Sequence, residues 1–402
     1  MRPHLRGGEC FLKYDFDKLI DRTRTHSVKL DKLPEGAEAD VMSLWIADMD
    51  FGCAKPIIDA LHKRIDKRIF GYTLYDNEEI KGAICSWFLR RYGWNIEKSG
   101  IFFSPGIVPA IAFLIKIFTE EGDGVIIQRP VYYPFTGKIE SNKRVVANNP
   151  LIRQGNTYVM DFDDLEKKFA DPKNKGLLLC SPHNPVGRVW TEAELLEIVS
   201  IARKYDKWII SDEIHCDLTR VGIKYTPLLK IADDYKDRIV ACTAPSKTFN
   251  LAGGQFSNII IPNPEYRKKW TQFTANELSV TSGCNLFGME AALAAYTEGE
   301  EWLEQVREYI DGNIEYVNKY VKANLPKASV CTCEGTYLLW IDLRGYCADH
   351  KKLQHIMIHD AKLALDEGHI FGEEGFGYER INLATPRSNV VECMERLKKA
   401  LA

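Results

Sequence analysis

An α/β protein built on a mainly parallel sheet with both faces covered, joined to a smaller α+β domain, is the fold class the sequence predicts. Three observations predict it. Short, nearly all-apolar runs recur at 101–103, 124–128, 145–147, 177–180, 208–211, 239–242 and 258–261; unbroken rather than alternating hydrophobicity marks strands buried on two faces, as in parallel sheets. Segments with helical spacing separate these runs, one of them opened by the capping box Thr191-Glu192-Ala193-Glu194 and carrying Leu195, Leu196, Ile198, Val199 and Ala202. After residue 285 the strand rhythm stops and long helical spacing takes over through Val321.

In chain order, residues 1–40 are polar and weakly periodic, the start of an N-terminal arm that runs to 45. An apolar patch at 43–51, ended by two acids, reads as a docking strand. Helical spacing predicts helices over 56–69 and 77–92, parted by Phe70-Gly71-Tyr72-Thr73, a turn-like break with an exposed aromatic. The strand at 101–103 breaks at Ser104-Pro105-Gly106 into an apolar helix over 108–118. The large domain is expected over 46–285. The small one is expected over 286–402, with strands near 328–333 and 336–343 and helices at 350–366 and 389–401.

Composition closes several functional classes. The 402 residues are 45% hydrophobic and 27% charged, ordinary for a soluble globular protein. A formal net charge of −3 gives no electrostatic case for nucleic acid or an anionic membrane. No apolar run has the length of a membrane span, and the N-terminal MRPHLRGGECFLKYDF lacks a secretory core. The 11 cysteines are odd in number and scattered, without a CxxC pair or a matching His spacing. That argues against a disulfide framework and against zinc, and for a reducing cytoplasm.

Chemistry-bearing residues fall at the carboxyl ends of the predicted strands, where ligands bind in open α/β sheets. Lys247 follows the run 239–242 in IVACTAPSKTFNLAGG. It is either a solvated loop lysine or a desolvated amine of lowered pKa that carries an aldehyde as a Schiff base. Asp212 ends the run 208–211; it caps a helix or holds a protonated ring nitrogen. Asn184, in Ser181-Pro182-His183-Asn184-Pro185, closes an Asx-turn or donates its amide to a phenolate-like oxygen. Tyr132 is a core aromatic or a stacking face. Gly106 and Ile107 form a plain turn or an anion cradle at a helix N-terminus, to which Ser246 adds a hydroxyl. Arg387 is a surface charge or a fork for a carboxylate. Together these are the parts that pyridoxal phosphate requires.

SPHNPVGRVW (181–190), SDEIH (211–215), APSKTFNLAG (244–253) and INLATPR (381–387) resemble the fold-type I pyridoxal-phosphate enzymes of the class I/II aminotransferase superfamily. Within it, WIADMDF (45–51), SPGIVPAI (104–111), PVYYPF (130–135) and GTYLLWIDLR (335–344) resemble the MalY/PatB-type cystathionine β-lyases, or C–S lyases. The likeness runs from about residue 40 to near the C-terminus. It implies a seven-stranded, mostly parallel large-domain sheet, a small domain that takes in both chain ends, and a homodimer with sites at its interface. It further implies pyridoxal 5'-phosphate as cofactor, with Lys247 as its Schiff-base lysine, Asp212 as the pyridinium partner, Asn184 on the ring hydroxyl and Tyr132 stacked on the ring. Gly106, Ile107 and Ser246 would hold the phosphate, Tyr72 would reach the phosphate of the neighbouring subunit, Arg387 would take the substrate carboxylate, and Trp45 would lie at the entrance.

Two positions depart from the wider aminotransferase pattern. His215 stands where aspartate-aminotransferase relatives have a tyrosine, as in the lyase subgroup, and Gln255 stands where they often have a phosphate-binding arginine. The expected reaction is therefore α,β-elimination on an L-amino acid with a sulfur leaving group at Cβ. Aminotransfer within the same fold, and a regulatory protein that retains the cofactor site, are the alternatives.

Overall fold

The structure, a computed structural model, describes residues 12–34, 36–38, 40–278 and 283–402; residues 1–11 of the expected arm lie outside them. Its main sheet has seven strands in the order Ile101–Ser104, Ser257–Ile260, Ile239–Thr243, Trp208–Asp212, Asn174–Cys180, Gly124–Ile127 and Val145–Asn148. Ser257–Ile260 runs antiparallel to both neighbours and the other strands share one direction. The carboxyl ends of Ile101–Ser104, Asn174–Cys180, Trp208–Asp212 and Ile239–Thr243 therefore lie along one edge, and that common direction is what assembles the site.

Continuous apolar runs behave as two-sided strands should. Ile126, Leu177, Leu179 and Ile209 pack to one face with Leu195, Ile198 and Ala202 of the helix Glu192–Lys204. Val125, Ile127, Leu178 and Ile210 pack to the other with Ile111 and Leu114 of Ile107–Phe118. Each such fully buried aliphatic side chain contributes about 1.5–3 kcal/mol. The capping box forms: Glu194 N donates to Thr191 Oγ1 at 3.2 Å, and Thr191 N donates to Glu194 Oε2 at 2.7 Å.

In the C-terminal part, a four-stranded sheet runs Ser329–Val330, Leu338–Asp342, Tyr378–Asn382 and Asp366–Glu367. The long helix Glu300–Asn324 and the terminal helix Arg387–Ala400 complete this part. The N-terminal stretch reaches the same region, since Met42–Ser43 pairs in parallel with Leu363–Ala364. The helix Leu286–Glu298, expected to open the small domain, packs against Lys55–Ile65 and Glu78–Tyr92.

One expected element is different. The sequence reads 350–366 as a single helix, but the structure has His350–His355, a π turn Ile356–Asp360 and then two short strands. Lys362 adopts φ 54°, which ends the helix, and the buried run Leu363, Ala364 and Leu365 is claimed by strand pairing. Tertiary pairing overrides local propensity here. A hairpin, Ile152–Gln154 with Thr157–Val159, turns at Gly155 with φ 59° and was not anticipated. Among the described residues no helix is long and apolar enough to cross a membrane.

Candidate active site

Gly106, Ile107, Tyr132, Asn184, Asp212, His215, Ser246 and Lys247 all line one cavity of about 180 Å³ at the carboxyl edge of the sheet. Asp212 ends its strand and is 3% exposed. Its Oδ1 accepts from Ile214 N at 3.2 Å, with no cation in hydrogen-bond reach among the described residues. Burial pushes its carboxyl up to about 7; Glu213 pushes the same way, while the Ile214 N–H and Lys247 oppose. A ring nitrogen that carries a proton would supply the missing positive partner.

Lys247 is carried by the short helix Pro245–Thr248, directly after the adjacent strand. Its Nζ donates to the Ala47 carbonyl at 2.5 Å. Desolvation lowers its pKa to about 8, against the pull of Asp48 and Asp212 and with the help of Arg380. A substantial neutral fraction near physiological pH is what an amine needs to attack an aldehyde or take a proton. In the cofactor-free protein, the rate at which an amine-selective acylating reagent labels Lys247 should reach its half-maximum near pH 8. Peptide mapping across a pH series checks this, and a midpoint near the ordinary lysine value would contradict the burial assigned to it.

Asn184 is oriented by its neighbours. Arg380 Nη1 donates to its Oδ1 at 2.9 Å, and because a guanidinium has only donors, the oxygen must face Arg380. That leaves the amide Nδ2 without a protein partner among the described residues, free to donate to a ring oxygen. The Asn184 carbonyl also accepts from Tyr132 N at 3.0 Å, fixing the tyrosine against the same turn. His215 is buried, its Nδ1 without a partner, its ring edge-on to Tyr337 with centroids 6.0 Å apart. Burial, with Lys247 and Arg380 nearby, holds its pKa well below 6.5, so the ring is neutral.

At the far end of the cavity the helix Ile107–Phe118 begins behind Gly106. Its first-turn N–H groups lack intrahelical partners and its dipole favours an anion, with the Ser246 hydroxyl beside them. Gln255 and Ser257 line this cavity too, so the anion site is built from neutral donors. An amine, a dry acid, an amide donor and an anion cradle converge, and this donor set fits pyridoxal phosphate. Among the described residues no His/Cys/Asp/Glu cluster could hold a metal.

Three expected residues are placed elsewhere. Tyr72 is 97% exposed and lines none of this cavity. Trp45 turns its indole away, Nε1 donating to Lys29 O at 3.1 Å, and offers its backbone carbonyl to Arg380. Arg387 is not brought to the cavity: it opens the helix Arg387–Ala400, its Nε donates to Asn313 Oδ1 at 2.6 Å, and its guanidinium lies 5.3 Å from the Tyr316 ring. It ties the terminal helix to Glu300–Asn324.

The guanidinium beside the cavity is Arg380, which the sequence reading missed. Period-two alternation in Tyr378–Asn382 puts Arg380 and Asn382 on one face, against the loop after Met42–Ser43. Arg380 holds the Trp45 carbonyl at 3.0 Å, and Asn382 Nδ2 holds those of Ile46 and Asp48, each at 2.6 Å. That grip presents the Ala47 carbonyl to both Lys247 and the Tyr337 hydroxyl, 2.9 Å away. No local signal marked it, because the strand Tyr378–Asn382 also carries Glu379 and Asn382.

Comparisons with known proteins agree with this site. The family described as aminotransferase class I and II matches residues 39–397. Cystathionine beta-lyase PatB of Bacillus subtilis is 39% identical over 390 residues, covering 96% of this chain and 100% of that protein. Protein MalY of Escherichia coli is 32% identical, with 96% and 99% covered. The crystal structure of cystalysin from Treponema denticola, which contains a pyridoxal 5'-phosphate cofactor, superposes with a TM-score of 0.92 at 41% identity, covering 97% of this chain and 99% of that one. With the sheet order, the strand-end lysine and aspartate and these near full-length matches in agreement, the chain belongs to the class I and II aminotransferase family.

Proposed function

We propose that this protein is a pyridoxal-phosphate-dependent carbon–sulfur lyase that cleaves L-amino acids bearing sulfur at Cβ into thiol, pyruvate and ammonia. The observation that carries the reading is the opposed pair at the ends of adjacent strands: Lys247, lowered to about 8, and Asp212, raised to about 7, in one cavity with Asn184. Relatives that span almost the whole chain and are named cystathionine beta-lyase support the lyase reading over its family siblings.

When bound, the cofactor supplies an aldehyde for the substrate amine and a ring that delocalises the electron pair left at Cα. The protein supplies the rest. Asp212 would keep a proton on the ring nitrogen and so maintain the ring's electron demand. Asn184 Nδ2 would donate to the ring oxygen, while the first turn of Ile107–Phe118 and Ser246 would hold the phosphate. With the cofactor bound, neutral Lys247 would take the Cα proton and the sulfur would leave Cβ as thiolate, one water then being consumed as pyruvate and ammonia form. Arg380 binds the substrate carboxylate, the role that the sequence suggested for Arg387. Arg380→Lys keeps the charge but loses the planar fork, so KM should rise roughly tenfold or more. Arg387→Gln should leave KM within about twofold, because a helix–helix tie contributes only to stability. Steady-state kinetics of both variants tests the reassignment.

The defining experiment is incubation of cofactor-loaded protein with L-cystathionine or L-cystine and no 2-oxo acid. Pyruvate equal in amount to the thiol released from L-cystathionine, or to the persulfide released from L-cystine, supports the lyase reading; turnover that requires a 2-oxo acid acceptor would make it an aminotransferase.

The working form is a homodimer. Ile69, Phe70, Tyr72 and Leu74 are 73%, 56%, 97% and 67% exposed along one short stretch, an apolar surface a second copy would cover. Tyr72 then reaches the partner's phosphate end. Sedimentation at twice the chain mass supports this, and a stable active monomer would end it. The described cysteines are free thiols, which suits a reducing cytoplasm.

A further inference from the structure

Arg380 is already occupied. Its guanidinium is buried beneath Phe371, whose ring centroid is 5.0 Å from Cζ, and forms an ion pair with Asp366 through Nη2. Asp366 lies directly across the strand pair from Arg380 and is itself 4% exposed. Among the described residues its carboxylate has no other hydrogen-bond partner. The same Nη2 also serves the Trp45 carbonyl at 3.0 Å, Nη1 serves Asn184, and Nε has no partner.

A guanidinium offers a carboxylate two bidentate edges, the end edge Nη1/Nη2 and the side edge Nε/Nη2. Both edges use a hydrogen of Nη2, and both acceptors of Nη2 are in place. A carboxylate that takes either edge must therefore displace one of them. The Trp45 carbonyl is backbone, in a loop pinned before it by Leu44 N on the Ala364 carbonyl and after it by Asn382 and the Arg22–Asp48 and Lys29–Asp50 ion pairs. The Asp366 carboxylate is a side chain, and an incoming carboxylate replaces it like for like.

We propose that Asp366 is a resident counterion of the substrate clamp, and that the substrate carboxylate binds by exchanging with it at Arg380 Nη2. The inference rests on the assignment of Arg380 as clamp. In the empty site Asp366 pairs a buried cation that would otherwise stand uncompensated away from water. In the loaded site the substrate competes with this internal anion, so affinity for simple carboxylates is held down. Asp366 acts through Arg380; it is a positioning residue.

The test is Asp366→Asn, which keeps an oxygen acceptor beside Nη2 and removes the charge. The KM for L-cystathionine should fall at least fivefold. The inhibition constant of 3-(methylthio)propionate, a carboxylate probe without the reacting amine, should fall by a similar factor, and kcat should change by less. Asp366→Glu, with the charge restored, should return both constants toward wild type. Unchanged or raised constants in Asp366→Asn would overturn the exchange, because a merely structural residue loosens the clamp when replaced. Should that variant fail to fold, isotope-edited infrared spectroscopy of the wild-type holoenzyme decides. Binding of the probe carrying a ¹³C carboxylate should shift an unlabelled protein carboxylate band as Asp366 leaves the guanidinium, and no shift overturns the proposal. The outcome for Arg380→Lys separates the two levels. If that variant leaves probe inhibition intact, the clamp assignment itself is wrong; if it weakens inhibition while Asp366→Asn does not strengthen it, only the exchange fails.

Discussion

Replacing Lys247 by alanine should abolish the visible absorption that wild-type protein gains with pyridoxal phosphate. Borohydride should then leave no covalent adduct on the chain. Turnover should fall by roughly 10⁴-fold, the upper end of what a positioned general base contributes, because the variant loses both the attachment point and the base. The fold should survive: Nζ makes one hydrogen bond, to the Ala47 carbonyl, and its burial is a cost rather than a gain. Absorption and adduct formation report attachment, while kcat reports proton transfer, so the two roles are measured separately. A variant that retained wild-type turnover would remove Lys247 from the mechanism.

Asp212→Asn should lower turnover by roughly 10²–10³-fold, the scale of losing one preorganised electrostatic partner of developing charge. Its effect on stability runs the other way. In the cofactor-free wild type the Asp212 carboxyl is raised from 3.8 to about 7, so the folded state holds that proton more tightly than the unfolded chain. Between about pH 4 and pH 7 the unfolded chain therefore loses its proton first. Stability drops across that window and the loss is complete above it. Asparagine carries no such penalty. At pH 8 the cofactor-free variant should be more stable than wild type by a few kcal/mol, since each tenfold change in proton affinity is worth about 1.4 kcal/mol. Near pH 3 the two should converge. Glu213, raised to about 7 by burial, has the same sign and remains in both proteins, so the difference between their denaturation profiles isolates Asp212. A flat difference across pH 4–8 would mean that Asp212 is not desolvated in the folded chain. A residue that destabilises the empty protein and activates the loaded one is kept for function.

The strands of the main sheet were legible because each is an apolar run buried on both faces, and side chains such as Leu177 and Leu178 need only their neighbours in sequence to declare it. The residues that follow those runs at one edge were legible for the same reason. Once the strands share a direction, Asp212, Asn184 and Lys247 must meet. The clamp was not legible. Arg387 and Arg380 stand seven residues apart, and nothing in their immediate neighbours says which of them faces the site. Only the alternation of Tyr378–Asn382 against the loop at 45–48 turns Arg380 inward, while the start of a helix carries Arg387 to Asn313. The strand at Leu363–Ala364 was hidden likewise, because its partner Met42–Ser43 lies more than three hundred residues away.

The sequence by itself determined the α/β class and the sheet, since these follow from burial patterns that are local along the chain, and its motifs pointed to the amine, acid and amide. Tertiary structure alone decided which guanidinium faces the site and which acid already occupies it. Those depend on pairing between segments far apart, and no local pattern encodes the face a strand turns toward a distant loop.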